Sequence, residues 1–167
     1  MVDQPAIERG MKVFMESCRL CHSLKYYRDR AHPDGIKPLM DEAGLKEGFG
    51  VVPPDLSLIT AARGRGTEGA RYIYRLLTTY YEEDGLTKNR AFAEWTGGDG
   101  TIAMPPPLPE DGLESKAQDV AAFLYYVADP KEAERERLGV YVLVYTVVMT
   151  ILLYLVYRRV WKGGKKG

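Results

Sequence analysis

Cys18-Arg19-Leu20-Cys21-His22 gathers the chain's only two cysteines and one of its two histidines into five residues. Two thiols with two residues between them lie about one helical turn apart, the spacing of the two vinyl groups of a porphyrin. A histidine directly after the second thiol can reach the iron from one side. The pattern reads as the attachment site of one covalently bound haem c, with thioethers at Cys18 and Cys21 and with His22 as the proximal ligand. Other uses of paired cysteines fit less well. A redox pair needs a strand–helix–strand setting that the flanking sequence lacks. A zinc site needs two more ligands, for which only His22 and His32 remain.

The opposite face of the iron needs its own ligand. Met104 stands in Thr101-Ile102-Ala103-Met104-Pro105-Pro106-Pro107-Leu108-Pro109, a stretch stiffened by prolines. Such a loop has little conformational freedom to give up, and thioether paired with imidazole is an axial set of cytochromes. The other methionines are worse placed: Met1 is terminal, Met11, Met15 and Met40 sit on amphipathic segments, and Met149 lies in an apolar run. His32, in the turn His32-Pro33-Asp34-Gly35, is an alternative that would have to wrap around the porphyrin edge. A metal-bound histidine usually donates its second ring N–H to a carbonyl or carboxylate. In Val51-Val52-Pro53-Pro54-Asp55-Leu56-Ser57, two prolines hold the backbone extended and remove two donors, so Pro53 or Pro54 can offer a bare carbonyl. Burying a haem propionate calls for cations or hydrogen-bond donors. Arg63 and Tyr72 are candidates, with Arg71 the alternative.

Helices must position these groups. Residues 5–17 place Ile7, Met11, Phe14 and Met15 on one apolar face, with Gly10 on the same side, where a second helix can approach closely. Residues 38–47 form a short amphipathic segment closed by Gly48-Phe49-Gly50. A helix starts at Glu68 and carries Tyr72, Leu76 and Tyr80 on one face. Glu82-Glu83-Asp84-Gly85 reads as an acidic turn. Residues 114–128 make the last helix of the head, with Ala117, Val120, Ala121, Leu124 and Val127 inward, and it is the natural partner for the Gly10–Phe14 face.

Charge divides the chain. Residues 1–137 hold 18 Lys and Arg against 23 Asp and Glu, a net charge of −5; residues 138–167 hold five cations and no acid. An acidic head excludes a nucleic-acid role, which needs a basic patch, and suits a basic protein partner. Residues 138–157 carry no charge and would span about 30 Å as a helix, the thickness of a bilayer core, so membrane lipid is an expected partner. The expected organisation is an all-α haem domain at 1–130, a charged linker at 131–137, a single transmembrane helix at 138–157 and a basic tail at 158–167. Basic residues directly after the span put the C-terminus in the cytoplasm and the head outside it. The polar start, residues 1–8, does not read as a signal peptide, so a processed or incomplete start is expected.

The order of a GxxxF helix, the CxxCH motif, a methionine loop and a terminal helix resembles class I cytochrome c. Cys21-His22-Ser23-Leu24-Lys25, Tyr27-Arg28-Asp29, Pro53-Pro54-Asp55-Leu56-Ser57, Tyr72-Ile73-Tyr74, Leu76-Leu77-Thr78, Met104-Pro105-Pro106 and the C-terminal anchor narrow this to a resemblance to the cytochrome c1 family. The resemblance implies a class I cytochrome c-type head, His22 and Met104 as axial ligands, and Arg63 and Tyr72 at the propionates. It implies electron transfer within a dimeric quinol–cytochrome c oxidoreductase, with a cytochrome b, a Rieske iron–sulfur protein and a soluble c-type cytochrome as partners. The stretch from Tyr27-Arg28 to Pro53 is much shorter than in mitochondrial forms, which points to a bacterial inner membrane with the head on its periplasmic side. Two rival functions are an anchored electron shuttle outside any such complex, and a haem enzyme or sensor with an open iron site.

Overall fold

The structure is a computed structural model that describes residues 3–163. The chain divides into two units at Asp129 and Pro130. The first unit is built of helices with one small hairpin: α1 (Gln4–Val13), a π turn (Phe14–Cys18), α2 (Glu42–Phe49), α3 (Ile59–Arg63), α4 (Glu68–Thr78), β1 (Tyr80–Glu83), β2 (Leu86–Asn89), α5 (Arg90–Thr96) and α6 (Leu113–Ala128).

The core forms where α1 crosses α6. A Cβ at Gly10 would overlap the carbonyl of Asp119, so only glycine lets the two backbones come this close. Arg9 closes the crossing from outside with a two-pronged bond to Asp119, at 2.8 and 2.9 Å. Beneath it Phe14 and Phe123, both fully buried, meet with ring centroids 5.9 Å apart, and Tyr27 meets Phe123 edge-on at 5.7 Å. Val120, Ala117, Leu124 and Val127 complete the inward face of α6. Gly69 does for α3 and α4 what Gly10 does for α1 and α6, since a side chain there would run into the backbone of Thr60. The Thr60 hydroxyl in turn donates to the Leu124 carbonyl at 3.3 Å, tying α3 to α6.

Three local elements differ from the sequence expectation. The first helix does not keep α pitch to residue 17. It widens into the π turn, where Arg19 N–H donates to the Phe14 carbonyl five residues back, at 2.9 Å. The helix expected at 38–47 starts later, at Glu42, because Asp41 caps it by accepting from Gly44 N–H at 3.0 Å, and it closes at Gly50 in a left-handed conformation. The acidic turn is the tip of an antiparallel hairpin that pairs Tyr80 with Asn89 and Glu83 with Leu86. Asp84 and Gly85 both have positive φ, the signature of a tight primed turn.

Asn89 is the node beneath the hairpin. Its fully buried amide donates to the Leu76 carbonyl at 2.7 Å and accepts from Phe92 N–H at 3.0 Å, so it joins the end of α4 to the start of α5. Its backbone N–H reaches the carbonyl of Gly100 at 2.9 Å and so draws the methionine loop onto the hairpin.

The second unit is one helix, α7 (Glu132–Gly163), which is long and apolar enough to cross a membrane. The stretch expected as a linker is helical from Glu132 onward. Thr146 and Thr150 return their hydroxyls to the Val142 and Thr146 carbonyls at 2.8 and 2.7 Å, so neither leaves a polar group without a partner in an apolar surrounding. Of the basic tail, residues 164–167 lie outside the described residues, as does Met1.

Candidate metal centre

The π turn delivers Cys18 into the core, 8% exposed, with Cys21 half-buried and His22 9% exposed directly after it. The turn is closed by Cys21 N–H and His22 N–H, both donating to the Cys18 carbonyl, at 3.2 and 2.9 Å. The two cysteines form no disulfide. Burial pushes the Cys18 thiol up to about 12, with Cys21 adding to the effect, and burial also raises Cys21, so both hold their protons.

His22 Nδ1 lies 2.8 Å from the Pro54 carbonyl oxygen. A carbonyl can only accept, so Nδ1 carries the proton, and Nε2 is the nitrogen with which the ring can meet a metal. Burial pulls the imidazole below its ordinary value, against the opposing pull of the Pro54 carbonyl and of Asp55, and leaves it in the neutral form that ligates. Of the two proline carbonyls offered by the sequence, it is that of Pro54 that meets the ring; Pro53 lies half-buried beside it.

Arg63, Tyr72 and Trp95 form a second cluster. The Arg63 guanidinium lies 4.9 Å from the Trp95 ring centre and 5.6 Å from that of Tyr72, and the two rings are 5.5 Å apart. The Nε of Arg63 and the hydroxyl of Tyr80 are buried and have no hydrogen-bond partner among the described residues. Burial, with Tyr72 nearby, pushes the Tyr80 phenol far up, so it stays a donor. Buried donors of this kind are costly unless something accepts from them. Arg71 is exposed and turns to a different surface, a groove that it shares with Tyr74 and Gln118.

Met104 is half-buried in the irregular stretch between two anchors. On one side Ile102 N–H donates to the Thr87 carbonyl at 3.2 Å; on the other, Leu108 is buried in the core. His32 is occupied in its own turn, with its backbone N–H 2.6 Å and its ring 3.0 Å from Asp29 Oδ1.

These residues fit a haem better than a bare ion. Among the described residues no three His, Cys, Asp or Glu side chains converge on one point, so the cysteine pair and His22 do not complete a zinc site. The two orphaned donors match the carboxylates of a porphyrin. Leu20, inside the attachment motif, is 48% exposed, an apolar side chain suited to a porphyrin edge. The sequence reading singled out Arg63 and Tyr72 but missed Tyr80 and Trp95. Tyr80 falls on the helical face expected from Tyr72 and Leu76 but opens β1, and Trp95 carries no signal beyond being aromatic.

Comparison with known proteins agrees. The family model described as the cytochrome C1 family matches residues 28–163. A cytochrome c1 from Cereibacter sphaeroides is 29% identical over 98% of this chain and 84% of its own length. One from Allochromatium vinosum is 30% identical over 96% of this chain and 85% of its own. A cytochrome b/c1 from Bradyrhizobium diazoefficiens is 25% identical over 95% of this chain but only 33% of its own length. With a thiol pair and a neutral buried imidazole in its head and one long apolar helix after it, this chain belongs to the cytochrome c1 family, membrane-anchored haem c proteins of electron transport.

Proposed function

We propose that this chain is the haem subunit of a quinol–cytochrome c oxidoreductase, taking single electrons from a Rieske iron–sulfur protein and passing them to a soluble c-type cytochrome. The observation that carries the reading is the neutral His22 imidazole, buried in the Cys18–Cys21 turn with its Nδ1–H already donating to the Pro54 carbonyl. That arrangement reserves Nε2 for iron.

One haem c, when bound, supplies a ferric–ferrous couple that moves one electron at a time. The residues of this chain determine how it is held. Cys18 and Cys21 would hold it through thioethers, and His22 and Met104 would supply its two iron ligands. Pro54 orients the imidazole, with Pro53 keeping that backbone extended. Arg63 and Tyr80 would donate to a propionate, while Tyr72 and Trp95, their rings tilted by 57° to each other, hold the guanidinium beside them. With an imidazole and a thioether both given to the iron, the head would relay electrons without making or breaking bonds.

Cytochrome b is the expected neighbour in the membrane. The relative from Bradyrhizobium diazoefficiens carries both names, and the part like this chain is a third of its length. The acidic head suits a basic acceptor, by steering encounter more than by tight affinity. The cations that follow the apolar span favour a C-terminus in the cytoplasm of a bacterium and a head on the periplasmic side of its inner membrane.

Carbon monoxide tests the closed iron site. The reduced full-length chain should leave its spectrum unchanged under the gas, and Met104→Leu should bind it. Ready binding by the unaltered chain would refute Met104 ligation and favour the open-site rival. In the purified complex, quinol addition should reduce this haem in step with turnover of the Rieske centre; an unchanged haem would favour a free-standing shuttle.

A further inference from the structure

The Pro54 carbonyl that meets His22 belongs to a dipeptide with no N–H of its own, so Pro53 and Pro54 cannot be tied down by their own donors. What fixes that carbonyl lies directly after it. The Asp55 carboxylate accepts from the Ser23 hydroxyl at 2.6 Å and from Lys25 N–H at 2.8 Å, both on Oδ2, and from Ser57 N–H at 3.0 Å on Oδ1. Around it, Leu56 N–H donates to the Ser23 carbonyl at 2.9 Å, and Tyr26 N–H donates to the fully buried Ser57 hydroxyl at 3.0 Å. Residues 23–26, which follow His22, are thereby laced to residues 55–57, which follow Pro54.

We propose that Asp55 is a positioning residue of the haem site: its carboxylate locks residues 23–25 to residues 55–57 and so holds the Pro54 carbonyl at His22 Nδ1. The proposal rests on the reading of His22 as the iron's ligand. Three donors converge on Asp55, two of them backbone N–H groups that cannot turn away. A carboxylate meets all three because both its oxygens only accept. An amide of the same shape cannot. Whichever way an asparagine is turned, its NH2 faces a backbone N–H, either that of Lys25 or that of Ser57. The chemistry of the clamp therefore requires an acid at this position, and the reach between the two segments requires the shorter one.

The bond that Asp55 secures bears on the iron. A histidine that donates its second N–H to a firm acceptor is a more basic ligand and favours the ferric state. Loosening Pro54 should therefore raise the reduction potential. Removing the charge of Asp55 would do the same by simple electrostatics, so two variants are needed. Asp55→Asn removes charge and clamp together. Ser23→Ala keeps the charge and removes one strand of the clamp.

The experiment is a redox titration, with low-spin electron paramagnetic resonance of the ferric haem, on the full chain in its membrane complex. Both variants should shift the potential upward, Asp55→Asn by more, and both should change the g-values that report the imidazole's surroundings. Asp55→Glu, which restores charge but not reach, should leave those g-values altered. If Ser23→Ala leaves potential and g-values as they were, and Asp55→Glu fully restores both, Asp55 acts through charge alone and the proposal is overturned. An unaltered chain whose ferric spectrum shows a vacant axial position would instead refute the reading of the site itself, a result distinct from six-coordinate variants that fail to shift.

Discussion

Gly10 of α1 lies against the backbone of Asp119 in α6 so closely that a side chain on it would overlap the Asp119 carbonyl and come within 2.7 Å of Phe123 Cβ. The first and last helices of the head thus meet backbone to backbone, and what packs below that contact includes Phe14, four residues before the first thiol. The haem motif is anchored to the core through this crossing.

Gly10→Ala should therefore destabilise the head. Helix propensity alone favours alanine by about 1 kcal/mol, while forcing a methyl group into a filled contact costs about 1–3 kcal/mol or more. We expect a net loss on the order of 1–2 kcal/mol, read as a lower midpoint in denaturant. A stabilised variant would show that the helices can separate at no cost.

Acid should weaken the head in a particular window. Burial pushes the Asp55 carboxyl up, but the bonds from Ser23, Ser57 and Lys25 outweigh it and hold the group below its ordinary 3.8. The folded state then binds this proton less tightly than the unfolded one. Its contribution is present in full above the ordinary carboxylate value and is lost as pH falls through the lower folded value. Denaturant midpoints measured from pH 7 downward should stay level and then drop below about pH 4. Asp55→Asn should lower the plateau by about 1–3 kcal/mol and flatten that drop.

Tyr80→Phe separates an orphaned hydroxyl from an occupied one. If the phenol donates to a haem propionate, removing it from the haem-loaded chain should cost about 1 kcal/mol and lower the melting temperature. If the hydroxyl stays without an acceptor when haem is bound, deleting a buried unsatisfied group should raise the melting temperature instead.

A charge in the middle of α7 tests the anchor. Val148 is exposed at the centre of the apolar stretch, and an arginine at a helix centre opposes insertion by about 2.5–3.5 kcal/mol. Val148→Arg should shift a share of the protein from the membrane pellet to the soluble fraction. An unchanged distribution would mean that neighbouring helices shelter that face.

The helices were legible because their apolar residues recur at helical spacing over three or more turns, as Ala117, Val120, Ala121, Leu124 and Val127 do in α6. The centre was legible because CxxCH packs its chemistry into five residues. The hairpin was not, because four-residue strands of half-exposed residues carry almost no alternation; only Asp84-Gly85 signalled it, and those two read equally well as a loop tip. Asn89 was silent for another reason. An amide earns its place there through three partners that are remote in sequence or set by the turn it caps, and no local pattern shows them. The orphaned donors on Arg63 and Tyr80 are likewise facts of burial, which a sequence does not display.

The wide turn at Phe14–Cys18 works as a phase adjuster. Each residue of an α-helix advances the chain by about 100° around its axis, so removing one residue between Phe14 and Cys18 would swing both thiols and the imidazole by a comparable angle while the aromatic stack stayed where it is. The loop that follows is tied to the same motif, with Leu39 N–H and Met40 N–H donating to the Arg19 and Leu20 carbonyls at 2.9 and 3.1 Å. The spacing from Phe14 to Cys18 tolerates no gained or lost residue, and in a head this short it is the segment whose length is least negotiable.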